Sequence, residues 1–342
     1  MAPPLRLGVM YDFRTRPGDG PPLADVYAAT LDQARLIDQL GYDTVWFTEH
    51  HFVDDGYLPS VVAASGAIAA CTNRVRIGSD IVLLPFYNPI RLAEDMAVLD
   101  NLSGGRMELG IGMGYAPHEF AAFGHPVKNR VSLTEEGIDV LRLAWGHEPF
   151  SYRGKRHEYT DLDVHPKPIQ DGGPPLWIAA MSTAGAQRAA RFGTNLLPQG
   201  TRAEVLDPYR TAVTDAGQDP SDRRVGIARS WLVTDDPDRD WPEVLVAERF
   251  RMSLYKRFFS ETPDTYSWGK ADANPIPQTW IVGDADHVAT EILAFVETYG
   301  ITDIATSGLP PGIDPDLMAR SHEKFAADVL PRLRDHTDIV PV

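Results

Sequence analysis

Cysteine is almost missing from this chain: Cys71 is the only one in 342 residues. A lone cysteine excludes an intramolecular disulfide and a cysteine-built zinc site. It follows an apolar run at residues 61–70, so the expectation is a buried structural thiol. Also missing is any apolar stretch of the roughly twenty residues that a membrane-spanning helix needs. Basic side chains are scarce, with 32 Lys and Arg against 48 Asp and Glu and a formal charge of −16. The acidic excess is spread along the chain, which argues against nucleic acid or an anionic membrane as the main partner. There is no HExxH and no HxH pair on the first strand, so no catalytic metal is expected. The opening MAPPLRLGVM runs straight into a strand pattern without the charged-then-apolar order of a signal peptide. The expected location is the cytoplasm.

What is present is an alternation. The composition, 43% hydrophobic and 23% charged, is that of an ordinary globule. Short apolar runs at residues 5–11, 43–48, 75–84, 107–113, 176–180, 194–197, 225–234 and 303–306 read as strands. Between and after them, residues 23–40, 59–70, 89–102, 133–145, 184–192, 203–216, 242–259 and 316–330 carry helical spacing. Strands alternating with helices imply right-handed crossovers and a parallel sheet. Eight such units over this length fit a closed (β/α)8 TIM barrel better than an open sheet, with residues 1–342 as a single domain. Two stretches break the rhythm. Residues 148–173, after the fourth helix, contain two polar–aromatic runs about Gly154 and predict an inserted hairpin. Residues 261–280 lie between strand 7 with its helix and strand 8, with three prolines and little periodicity; they are the candidate lid.

In such a barrel the chemistry belongs at the C-terminal strand ends. The second strand, DTVWFTEHHF at residues 43–52, stops abruptly at Glu49, His50 and His51. Imidazole titrates near neutral pH, so both histidines are candidates for proton transfer. Side chains of adjacent strand residues diverge, which speaks against a shared metal. Asp80 interrupts an apolar third strand between Ser79 and Ile81. A carboxylate there is costly unless it is paired or faces a ligand. GIGMG at residues 110–114 fails the dinucleotide spacing, since Tyr115 stands where the third glycine belongs. It reads instead as a strand left bare at Gly112 and Met113 for a flat ring to approach. Met181, Ser182 and Thr183 lead from a strand into a helix, and free N–H groups beside hydroxyls make a phosphate seat or a plain cap. Arg130 and Arg188 are the basic residues within reach in sequence. Trp231, Tyr255, Phe258, Trp268 and Trp280 are candidates for an apolar pocket or for simple packing.

The order DTVWFTEHHF, VRIGSDIVLLPFYNPIRLAEDMAVLDNLSGGRMELGIGMGY and HPKPIQDGGPPLWIAAMSTAGAQRAARFG closely resembles the bacterial luciferase-like monooxygenases. The likeness extends through EFAAFG and IVGDADHVATEI to FAADVLPRLR, nearly the whole chain. What it implies is a flavin-binding barrel that uses reduced FMN from a separate flavin reductase, or the deazaflavin F420. O2 and a small organic substrate would complete the reaction. It implies a homodimer, a His50 that assists flavin oxygen chemistry, and a non-prolyl cis peptide within Ser79, Asp80 and Ile81. It places the phosphate seat at Met181, Ser182 and Thr183, and a lid at residues 261–280. Bacterial luciferase carries a reactive Cys and a phosphate-binding Arg where this chain has Gly112 and Met113. The expectation is an FMN-dependent monooxygenase; the alternatives are an F420-dependent oxidoreductase and a non-catalytic flavin-binding protein.

Overall fold

The computed structural model describes residues 3–260, 276–277 and 279–335. Eight parallel strands form a ring: Arg6–Tyr11, Thr44–Phe47, Arg76–Ser79, Leu109–Gly112, Leu176–Ala180, Asn195–Pro198, Gly226–Ala228 and Asp303–Ser307. The third resumes as Val82–Leu83 after a break at Asp80 and Ile81. The first strand pairs with the second and the eighth, and the eighth with the seventh. The second pairs with the third, and the fourth, fifth and sixth with one another. The third and fourth meet through Val82–Leu83 and the bridge from Ile77 to Met107; one from Leu196 to Val225 joins the sixth to the seventh. The ring is a (β/α)8 barrel.

Strand alternation sorts side chains into two cores. Leu7 and Val9 join the large cluster under the helices, with Ala34 and Ile37 of the helix Leu23–Leu40. The barrel interior holds Trp46, Trp177, Leu197 and Ala305, with Met10 and Ile81 packed against them. Trp46 and Trp177 meet edge-on with centroids 5.4 Å apart, an arrangement worth on the order of 1 kcal/mol beyond burial. The N-terminal end is closed by charge. Buried Glu108 accepts from Arg6 Nη1 at 2.6 Å and from Trp177 Nε1 at 2.6 Å, and it also pairs with Arg76.

The helix stops are those the composition predicts. Asn88 caps Pro89–Ser103 by accepting from the N–H groups of Ile90 and Arg91, and Gly104 ends it in the left-handed conformation. The expected insertion is an antiparallel hairpin, Phe150–Arg153 with Glu158–Leu162. Two expectations change. The run at 225–234 is not one strand. It splits at Arg229, and Ser230–Val233 leaves the ring to pair with an additional strand, Trp280–Gly283. A further helix, Ala285–Tyr299, follows that strand before the eighth barrel strand. Of the lid candidate, residues 261–275 and 278 lie outside the described residues.

Cys71 is half-buried, not fully buried as expected, and burial raises its thiol pKa, so it is not activated. Among the described residues no helix is long and apolar enough to cross a membrane.

Candidate active site at the C-terminal mouth of the barrel

The second strand ends at Phe47, and the next four residues carry the site. The two histidines diverge, as strand geometry requires. His51 Nε2 lies 2.9 Å from Glu49 Oε1, and Tyr87 donates its hydroxyl to Glu49 Oε2 at 3.0 Å. Burial raises the Glu49 pKa, opposed by these partners. His50 turns the other way. Its Nδ1 lies 2.9 Å from Glu119 Oε1, and the Tyr115 hydroxyl lies 3.2 Å from its Nε2. The same Glu119 oxygen accepts from the His51 backbone N–H at 2.8 Å. A carboxylate only accepts, so the arrangement selects the tautomer with the proton on Nδ1 and leaves Nε2 to accept from Tyr115. His50 is 6% exposed and Glu119 fully buried.

Aromatic rings cover His50. Tyr57 and Phe258 have centroids 5.0 Å from it, and Tyr255 lies at 6.0 Å. The hydroxyls of Tyr57 and Tyr255 are 2.7 Å apart. Tyr115 stacks on Phe259 at 4.7 Å, nearly parallel. Tyr255, Phe258 and Phe259 come from the end of the helix Pro237–Ser260. Beneath Tyr57 lies the buried guanidinium of Arg14, 5.1 Å from the ring centre, with Nε donating to Asp55 at 2.8 Å. Burial raises the pKa of Asp12, against the pull of Arg14. Of the expected pocket aromatics, Tyr255 and Phe258 reach His50. Trp231 stacks on Phe325 at 4.4 Å and Trp280 packs on Trp241 at 5.4 Å, so both are core. Trp268 lies outside the described residues.

The break in the third strand is a cis peptide between Asp80 and Ile81. Ser79 is committed to the neighbouring strand, donating its hydroxyl to the Gly110 carbonyl at 2.8 Å and accepting from the Gly110 N–H at 3.0 Å. The bare fourth strand has a packing cause. A Cβ on Gly110 would fall 1.9 Å from the Ser79 carbonyl oxygen, and one on Gly112 1.9 Å from Ile81 Cδ1. The Ile81 side chain therefore fills the space that the glycines leave. Met113, beyond it, is partly exposed. Asp80 lines a cleft inside the barrel with Met10, Trp46, Leu197 and Ala305. Its carboxyl has no hydrogen-bond or ion-pair partner among the described residues, and burial pushes its pKa up to about 6.

At the fifth strand end, Ser182 caps the helix Thr183–Arg191 by accepting from the Gly185 N–H at 3.3 Å. The Thr183 hydroxyl donates to the Glu204 carbonyl at 2.9 Å. Arg188 turns to Glu135 at 2.8 Å. The base beside the helix start is Arg202, whose Nη2 donates to the Met181 carbonyl at 3.2 Å.

The family model for luciferase-like monooxygenases matches residues 5–302. The chain belongs to that family. An uncharacterised protein of Sinorhizobium fredii is 31% identical over 219 residues, and the chain spans only 62% of that relative's length, using 62% of its own. An F420-dependent glucose-6-phosphate dehydrogenase of Amycolatopsis mediterranei is 29% identical over 322 residues, 89% of this chain and 94% of that one. Among solved structures, a monooxygenase of Streptomyces bottropensis superposes with a TM-score of 0.83 at 26% identity, covering 96% of this chain and 99% of that one. The relatives of this luciferase-like chain thus include both a monooxygenase and an F420-dependent dehydrogenase.

Sequence reasoning missed Glu119, Tyr115, Tyr57, Arg14 and Arg202 as site residues of this family member. Glu119 had one signal, a lone carboxylate within the apolar EFAAFG, which is costly to bury without a partner. Tyr115 was noticed only as the residue that spoils the dinucleotide spacing.

Proposed function

We infer that the protein is a flavin-dependent monooxygenase that takes reduced FMN and O2 to a small organic substrate, with the flavin reduced by a separate enzyme. The observation that carries this reading is His50, fixed between Glu119 and Tyr115 under an aromatic roof at the barrel mouth. A phosphorylated, flat, apolar ring system suits the residues present. Met181, Ser182 and Thr183 offer first-turn N–H groups at a helix start, with Arg202 beside them, which suits one phosphate. Ile81, Gly112 and Met113 form the floor, with the Asp80 carboxyl beside them and Ser79 bracing it from behind.

Reduced FMN, when bound, supplies the two electrons needed to activate oxygen. The chain's part is to bind, orient and exclude water. Tyr57, Tyr255 and Phe258 keep solvent from His50, and His50 holds a proton on Nδ1 and offers Nε2 for proton transfer. The whole chain works as one domain, and two copies form a homodimer.

A second reading, hydride transfer with F420, is favoured by the Amycolatopsis mediterranei relative, whose alignment runs over most of both chains. Titrating the protein with reduced FMN, oxidised FMN and F420, then following oxygen uptake, separates the readings. Tight binding of reduced FMN with oxygen consumption is expected. Preferential binding of F420 overturns the choice of cofactor, and tight binding of oxidised FMN with no oxygen uptake favours a flavin carrier.

A further inference from the structure

Both ring nitrogens of His50 are taken, Nδ1 by Glu119 and Nε2 by the Tyr115 hydroxyl. The ring is also sealed by Tyr57, Tyr255 and Phe258. Nothing bound in the barrel mouth therefore meets a free imidazole nitrogen without displacing one of these partners. Tyr115 is different. It is only partly buried, and it follows directly from the glycine strand whose far side packs on Ile81. Stacking on Phe259 holds its ring, and the bond to His50 fixes its hydroxyl. The line Glu119–His50–Tyr115 thus ends on a phenol oxygen.

Resting on the flavin-oxygenase reading above, we propose that Tyr115 is the catalytic residue that touches the reacting oxygen, and that His50 and Glu119 are the positioning and proton-holding groups behind it. In the donating direction the Tyr115 O–H bond breaks and an O–H bond forms on the reacting oxygen. At the same time a proton on His50 Nε2 passes to the phenol oxygen. The proton on Nδ1 stays in place, and the Glu119 carboxylate stabilises the imidazolium from which the relay starts. In the accepting direction the same bonds form and break in reverse, and a substrate O–H loses its proton. The two electrons come from reduced flavin in either case, so the relay moves protons only. Burial keeps the Tyr115 pKa well above the ordinary phenol value, so the group remains a phenol at neutral pH and serves as a conduit. The other titratable groups around this line are Tyr57, Tyr255 and His118, the last against Phe258 at 4.9 Å.

The test uses the full chain loaded anaerobically with reduced FMN and mixed with oxygenated buffer, reading the return of oxidised-flavin absorbance. In wild type, formation of hydrogen peroxide from anionic reduced FMN and O2 consumes one proton. Tyr115→Phe removes the conduit while keeping the ring. The expected result is a rate about 10- to 100-fold lower, with loss of the pH inflection and of the solvent deuterium effect. FMN affinity and melting temperature stay at wild-type values. A variant with the wild-type rate and pH profile overturns the relay. A second measurement needs no cofactor: nitrogen NMR of His50 in the apo protein. The relay requires a neutral ring at rest with Nδ1 protonated and Nε2 accepting, so that the Nε2 resonance moves in Tyr115→Phe; the opposite neutral tautomer, with the proton on Nε2 and none on Nδ1, or no movement, overturns it. Wild type that binds neither reduced FMN nor F420 overturns the functional reading, and the NMR result then judges the relay separately.

Discussion

One oxygen of Glu119 holds both His50 and the chain next to it, at 2.9 Å from His50 Nδ1 and 2.8 Å from the His51 backbone nitrogen. The other oxygen, Oε2, is buried with no hydrogen-bond partner. Glu119→Gln keeps an acceptor of the same shape and removes the charge. It is expected to slow oxygen-coupled turnover about 10-fold with little change in fold. Glu119→Ala leaves two buried donors unsatisfied. It is expected to lose about 100-fold in rate and about 1–3 kcal/mol in stability. Stopped-flow kinetics and thermal melts read both. Equal effects of the two variants on melting with no effect on rate would reduce Glu119 to scaffolding.

Much of this arrangement was legible because it is local. Strand period places His50 and His51 on opposite sides without any tertiary information, and Pro89, Gly41 and Gly104 mark helix ends by their own backbone preferences. Glu119 was not legible because its partner lies 69 residues earlier, on another barrel unit. Its own helix, Pro117–Ala122, is too short to show a periodic face. The glycines at 110 and 112 pointed correctly to a close approach, but the approaching groups are the Ser79 carbonyl and Ile81. Sequence shows that a Cβ is missing and not what occupies the gap. The strand Trp280–Gly283 went unread because four apolar residues carry almost no period, and the helix after it was masked by the irregular stretch before.

Arg202 stands beside the helix start, where the sequence offers Arg130 and Arg188 as the basic residues within reach. FMN and riboflavin differ only in the phosphate, so the pair isolates its contribution. Arg202→Met is expected to weaken FMN binding about 10- to 100-fold, the range of a charge-assisted hydrogen bond of about 1.5–3 kcal/mol. Riboflavin binding should be unchanged. Fluorescence titration of both ligands measures this. An equal loss for both places Arg202 in the packing of the loop and not at the phosphate.

Asp80 trades stability for position. Its carboxyl is pushed up to about 6 by burial and has no partner among the described residues. An acid with a raised folded pKa contributes its full stability below the unfolded value, near 4, and loses it as pH rises through about 6. At pH 7 the charged form costs up to about 3 kcal/mol, two pKa units at 1.36 kcal/mol each. Asp80→Asn is expected to melt higher than wild type at pH 7 and to match it near pH 4. A lower melting temperature at pH 7 would mean that the carboxylate has a stabilising partner.

His322 works in the opposite direction within the same pH window. It is fully buried 3.3 Å from the Tyr42 hydroxyl, and burial pushes its pKa down to about 4. The unfolded chain takes up a proton near pH 6.5 and the folded one refuses it until about 4. Its stability contribution is therefore complete above 6.5 and falls as pH drops, by about 3 kcal/mol in all. Asp80 gains over nearly the same interval, and Asp12 and Glu49, also raised by burial, add to that gain. The opposed slopes of His322 and Asp80 largely cancel between about pH 6.5 and 4, so the pair's joint contribution to the wild-type profile is nearly flat there. Asp80→Asn should expose the His322 loss as a fall with acidification. His322→Gln should expose the carboxyl gain as a rise, and the double variant should return towards flat. Urea titrations at several pH values measure all four proteins, and parallel profiles would show that neither group titrates in that window.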